Sequence, residues 1–169
     1  MVLISLALSF AKLLMTFPVI VEGGSMIPTF YEGDMLYASA YESTFDGIDR
    51  GDVVVFVLDG GGSGLAGEFL YVKRVIGLPG EKVVVRDGGV EVDGEVLVEL
   101  YARGETNVDS FESPVLSADA EGFVYNVPEG EYFVLGDNRS ASLDSRNFVR
   151  TYVPGEWVMG KFSIVEFGL

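Results

Sequence analysis

The 169-residue chain contains no cysteine and no histidine. Without thiols there is no disulfide and no cysteine nucleophile, and without either residue there is no Cys/His metal site. The missing histidine also removes the general base of a Ser-His-Asp triad. Any hydrolytic chemistry must therefore take its base from Lys, Asp, Glu or Tyr, and such chemistry calls for no cofactor and no metal. Cations are scarce: 11 Lys and Arg stand against 26 Asp and Glu, for a net charge of −15. That surface repels phosphates, so no nucleic-acid partner is expected. Beyond this exclusion the charge reads as an acidic surface, suited to high salt, and says little about mechanism.

What is present points to strands. Aliphatic and aromatic residues make up 49% of the chain, and 22 glycines separate short runs rich in Val, Tyr and Phe. The length suits one domain with a real core. Val2–Ala11 is apolar except for Ser5 and Ser9; Lys12 follows, then a second apolar stretch from Leu13 to Val21 containing Pro18. The residue before a proline is biased toward extended backbone, so a helix here ends near Pro18 after roughly 15 residues, about 23 Å. A spanning helix needs about 20. The segment reads as a membrane anchor with Lys12 snorkelling, as a secretory leader, or as a buried helix. No basic n-region precedes it and no clear small-x-small cleavage site follows, so the anchor is the preferred reading. Strands are expected at Asp34–Tyr41, Asp52–Leu58, Glu68–Ile76, Lys82–Asp87, about an Asp93-Gly94 turn in Gly89–Val98, and at Gly122–Val127, Glu131–Leu135 and Glu156–Phe167. The expected fold is mainly β, antiparallel sheets forming a compact β-fold with one N-terminal hydrophobic, membrane-anchor helix. Residues 1–16 would be the anchor and 17–169 the β-rich catalytic domain, with a small irregular insertion around 99–121.

Three segments offer chemistry. In Phe69–Ile76 a strand would put Lys73 with Phe69, Tyr71 and Val75 on one face, and Arg74 with Leu70, Val72 and Ile76 on the other. Desolvation disfavours an ammonium; lowering its pKa from roughly 10.4 to near 8 takes about 3 kcal/mol, within reach of a semi-buried site. The neutral amine is a competent base, whereas Arg74 stays charged. Taken alone, the strand better fits a lysine at its end that snorkels to solvent. Gly23-Gly24-Ser25 permits tight backbone where a carbonyl must approach main-chain N–H groups, or it is a plain turn. Gly136–Arg146 gathers Asp137, Arg139, Ser142, Asp144 and Arg146 in one loop, where ion pairs among Asp137, Asp144, Arg139 and Arg146 would hold it rigid.

Gly24-Ser25-Met26-Ile27-Pro28-Thr29, Gly51-Asp52-Val53-Val54, Tyr71 through Gly80, and Gly136-Asp137-Asn138-Arg139 through Asp144-Ser145-Arg146 together resemble the bacterial-type, type I signal peptidases. They match four sequence boxes in order, which weighs against the plainer readings of Ser25 and Lys73. The resemblance implies a membrane-bound, single-pass serine endopeptidase with its catalytic domain on the extracytoplasmic side, acting on secretory preproteins with small residues one and three positions before the cut. Ser25 would be the nucleophile and Lys73 the base. Ser142 would position the lysine amine, with Asp144 and Arg146 as a supporting ion pair and Asp137 nearby. Val21, Met26, Phe30, Tyr71 and Val72 match pocket-lining positions, and Phe30 stands where the family commonly has Leu. The Ser25 N–H would supply one oxyanion donor. Some relatives add a serine hydroxyl two residues earlier, which Gly23 lacks. Two other readings are a self-cleaving repressor-type Ser–Lys protease, against which stand the hydrophobic N-terminus and the lack of a DNA-binding half, and an inactive membrane-anchored β-domain that binds partners.

Overall fold

A computed structural model describes residues 9–58, 70–86, 88–106, 117–119 and 122–162. Its strands are β1 (Thr16–Ile20), β2 (Met35–Ser39), β3 (Val53–Val57), β4 (Leu70–Gly77), β5 (Lys82–Arg86), β6 (Gly89–Val92), β7 (Glu95–Val96), β8 (Ser117–Asp119), β9 (Gly122–Asn126), β10 (Glu131–Leu135), β11 (Val153–Pro154) and β12 (Val158–Phe162). They form a seven-stranded sheet in the order β1-β2-β12-β3-β4-β10-β11 and a five-stranded sheet in the order β7-β6-β5-β9-β8. The pairings within both sheets are antiparallel.

The run Val53-Val54-Val55-Phe56 is continuous rather than alternating because β3 lies inside the large sheet with packing on both faces. Val53 and Val55 join Val19, Met26, Ala38 and Phe162 on one face; Val54 and Phe56 join Val75, Val134, Phe148 and Val153 on the other. A third cluster couples the two sheets. Val83, Val85, Val90, Val92 and Tyr125 of the small sheet pack on Ile76, Phe133 and Leu135 of the large one. The β6–β7 hairpin turns at Asp93-Gly94, whose φ angles of 51° and 86° are both positive, as a two-residue loop of matching twist requires.

The N-terminal segment departs from the expectation. Among the described residues, 9–14 are helical and none belongs to a helix long and apolar enough to cross a membrane. Residues 1–8 of the expected anchor lie outside the described residues. The second apolar stretch is not a helical continuation: from Thr16 it becomes β1, pairing Thr16 with Ser39 and Ile20 with Met35. The aromatic and β-branched residues Thr16, Phe17, Val19 and Ile20 favour a strand. Pro18 is tolerated because β1 is an edge, where a missing N–H costs no ladder bond. The insertion is irregular over Glu99–Thr106, but Ser117–Asp119 is strand β8, and residues 107–116 lie outside the described residues. The last expected strand is Val158–Phe162, preceded by a 3-10 turn at Gly155–Trp157; its continuation to Phe167 lies outside the described residues.

Phe133 is fully buried where the sheets meet, with its ring centroid 4.6 Å from that of Tyr125. Phe133→Ala should cost about 3–5 kcal/mol of unfolding free energy, read as a lower midpoint in urea denaturation.

Candidate active site

Lys73 and Arg74, adjacent on β4, are both buried at 4% exposure and point to opposite faces of the strand. On one face Lys73 Nζ lies 2.8 Å from Ser25 Oγ and donates to it, with a second bond of 2.9 Å to the Val72 carbonyl. Burial lowers the amine's pKa to about 8, opposed by the attraction of the Asp144 and Asp137 carboxylates. The amine is thus near the balance point between acid and base at mildly alkaline pH.

Ser25 sits on a turn closed by Ile27 N donating to Gly24 O, 3.2 Å, and Phe30 N to Met26 O, 2.9 Å. Met26, 1% exposed, pins that turn into the core. Asn138, which the sequence did not single out, fixes the turn from the facing loop. Its N–H donates to Ser25 O at 3.0 Å and its Nδ2 to Gly24 O at 3.0 Å. Gly136 must be glycine here, because a Cβ would overlap the Ser142 side chain and lie 2.6 Å from the Ser25 carbonyl oxygen. Among the described residues, the Ser25 N–H donates to no protein acceptor.

The 136–146 loop is held by a buried charge network that differs from the one expected. Asp144 and Arg146 do pair within the loop, Nε to Oδ1 at 2.8 Å and Nη2 to Oδ2 at 2.9 Å, and Asp144 also accepts the Gly136 N–H at 3.0 Å. Asp137 instead takes a bidentate contact from Arg74, at 2.8 and 2.6 Å, and accepts the Thr29 hydroxyl. Register explains this choice, since Arg74 pairs with Leu135, two residues before Asp137. Arg139 leaves the loop to meet Glu99 at 2.8 and 2.5 Å. Tyr101 completes the circuit, donating to Glu99 at 3.0 Å while its ring stacks 4.0 Å from the Arg74 guanidinium. Burial and the Glu99 carboxylate raise the Tyr101 pKa. Backbone bonds of 2.7 Å from Arg103 N to Asp137 O and from Arg139 N to Arg103 O lay this strap on the loop. Glu99, Tyr101 and Arg103 fall in the stretch read as an irregular insertion; a polar run beside an apolar strand gave no sign of where it would dock.

Two expected contacts are not formed. Ser142 Oγ is buried without a hydrogen-bond partner, so the bond to the Lys73 amine is absent; Nζ directs its bonds to Ser25 and Val72. Phe30 does not line the cleft, because its ring packs 6.0 Å from Phe162 against the core beneath. The other four expected lining residues do. A cleft of about 580 Å³ has Val19, Ile20, Val21 and Glu22 on one wall and Leu70, Tyr71 and Val72 on the other. Ser25, Met26 and Lys73 line it too, as does Leu143. The β1 wall is the sheet's outer edge, while on β4 the pairing with β10 covers only Arg74–Gly77 and leaves Leu70–Lys73 open on that side. Four antiparallel steps separate β1 from β4, so the two walls run in the same direction.

An amine primed to lose its proton, set against a serine hydroxyl in a strand-walled cleft, makes this a site in which lysine can activate serine. The family model described as signal peptidase, peptidase S26, matches residues 1–167. The chain belongs to that family. Signal peptidase I T of Bacillus subtilis (strain 168) is 36% identical over 130 residues, 77% of this chain and 63% of that protein. Signal peptidase I V of the same strain is 38% identical over 131 residues, 76% and 73% of the respective chains. A solved signal peptidase I of Enterococcus faecalis V583 is 31% identical, with 69% of this chain and 97% of that one covered and a TM-score of 0.47. The chain thus spans somewhat less than two thirds of the length of relatives such as signal peptidase I T.

A lysine buried in a site that lowers its pKa works against folding. Between about 8 and 10.5 the folded protein binds fewer protons than the unfolded chain, so stability rises with pH across that window, and the full penalty applies below it. Lys73→Met should therefore be more stable than the parent at pH 7, by up to about 3 kcal/mol, with the difference fading toward pH 10.5. Urea unfolding of both proteins at pH 7 and pH 10.5 measures it.

Proposed function

We propose that this protein is a membrane-associated serine endopeptidase that removes signal peptides from exported preproteins, with Ser25 as nucleophile and Lys73 as general base. The observation that carries the reading is the 2.8 Å contact between Lys73 Nζ and Ser25 Oγ, with the amine buried and its pKa brought to about 8. As free base, Lys73 takes the Ser25 proton while Oγ attacks the scissile carbonyl, and the proton passes to the departing amine. A water activated by the same lysine then splits the acyl-enzyme, regenerating Ser25. The Ser25 N–H meets the oxyanion. Ser142 Oγ, buried with its bonding capacity unspent, holds the lysine amine once Ser25 is acylated. The ion pair of Asp144 with Arg146 and that of Asp137 with Arg74 keep the loop in register with Ser25.

The substrate lies as an extra strand between the open edges of β1 and β4, its main chain bonded on both sides. Small side chains one and three positions before the cut enter the cleft beside Val21, Met26, Tyr71 and Val72, which line it. An apolar surface supports contact with a bilayer: Phe10, Leu13 and Leu14 of the helical residues are exposed, as are Ile20, Met35 and Tyr37 on β1 and β2. Ile20 pairs with Met35, so both stand on the same side of the hairpin. Anchoring by the N-terminal segment in a single pass, with the catalytic domain on the extracytoplasmic side, completes the proposal. The alternative of an inactive binding domain leaves the buried amine against Ser25 without purpose.

Ser25→Ala and Lys73→Ala should each lower cleavage of an exported precursor by at least about a thousandfold, because the two act as one unit. Either variant cleaving at the parental rate would remove the dyad. For the parent, kcat/KM should climb about tenfold per pH unit below the Lys73 pKa of about 8 and level off above it, since only the free amine is a base. A profile flat from pH 6 to 9 would contradict the assignment.

A further inference from the structure

Glu22 has no part in the chemistry above. It lies two residues beyond β1, where backbone bonds between Val21 and Asp34 and between Gly33 and Val21 carry the pairing on. The alternation of side chains sends Val19 and Val21 into the core while Ile20 and Glu22 stay exposed on the outer face. All four still line the cleft, and among the described residues Glu22 is the only carboxylate there. All 11 Lys and Arg side chains lie among the described residues, yet none pairs with Glu22. In a chain that ties most of its cations to acidic partners, an unpaired carboxylate on a substrate wall is available to a charge brought by the substrate.

We propose that Glu22 sets a charge preference for the substrate residue two positions before the scissile bond, favouring Lys or Arg and disfavouring Asp or Glu. The inference rests on the reading of Ser25 and Lys73 as the cleaving pair. A strand inserted between β1 and β4 alternates its side chains as the walls do. Residues one and three before the cut enter the inner pockets on the Val19 and Val21 side, so the residue between them turns outward to the side of Ile20 and Glu22. Of these two, Glu22 is nearer in sequence to Ser25. The −15 net charge of the molecule as a whole cannot give the same selectivity, because at physiological salt charges beyond about 8 Å are largely screened. An exposed pair at contact range is worth a few-fold, so Lys and Glu at this position should differ by about three- to tenfold.

The test is kcat/KM for three signal-like peptides with Lys, Gln or Glu two residues before the cut, on the full chain and on Glu22→Gln and Glu22→Lys. The assay runs at pH 9, above the Lys73 titration. The parent should rank Lys over Gln over Glu, with a spread that shrinks as salt rises from 0.05 to 0.5 M. Glu22→Gln should flatten the order and Glu22→Lys reverse it. Equal rates on the three peptides, or one order shared by the parent and Glu22→Lys, overturn this inference alone. Cleavage of none of the peptides by the parent, or cleavage that survives Ser25→Ala, overturns the dyad reading and this inference with it.

Discussion

The molecule depends on keeping one ammonium-capable side chain out of water beside a hydroxyl. A lysine on a strand gains nothing by burial and loses its hydration, so it stays buried only if the surrounding fold is stable enough to hold it there. Here β4 lies between β3 and β10 inside the large sheet, and Lys73 follows Tyr71 and Val72 into the end of the cleft. Asp144 and Asp137 act in the opposite direction, restraining the fall in pKa, and the amine titrates at about 8. A base with a pKa close to working pH combines availability with proton affinity, the compromise that acid–base chemistry requires.

The neighbour of that lysine solves the opposite problem. Arg74 is buried just as deeply but cannot lose its charge, so the fold must satisfy it completely. Asp137 takes two of its donors, the Gly51 carbonyl takes a third at 2.7 Å, and Tyr101 covers its face. Buried pairs of this kind add little net stability, but losing one partner leaves a bare charge, so they fix geometry. The same loop that supplies Asp137 supplies Asn138 to the Ser25 turn and Gly136 beside Ser142. Position is therefore transmitted from Arg74 through a few rigid bonds to the nucleophile.

Much of this was legible in the chain. Valine-rich runs marked β3, β4 and β5, and Asp93-Gly94 marked its hairpin, because strand period and turn chemistry are local properties. Ser25, Lys73 and the Asp144–Arg146 pair were visible through the resemblance that four segments carry jointly, since the Ser25 and Lys73 segments taken singly fitted plainer readings. β1 was hidden because a strand following a hydrophobic helix looks like more of the same helix until β2 pairs with it. Phe30 was placed in the pocket, although its ring turns toward Phe162. The strap Glu99–Arg103 was overlooked because a polar run carries no period, and its bonds to Arg139 and Asp137 span 30 residues or more of chain.

Lys73 as base was an implication of the resemblance carried by four segments, whereas the sequence by itself settled which chemistries were closed and that the fold would be built from antiparallel strands. These follow from residue identity and local periodicity. Only the tertiary structure decided that Lys73 and Ser25, 48 residues apart, would stand 2.8 Å from each other, and that Asp137 would pair with Arg74 rather than within its own loop. Burial, pKa and strand edges open to a partner are properties of what surrounds a residue, and those surroundings exist only once distant segments have packed.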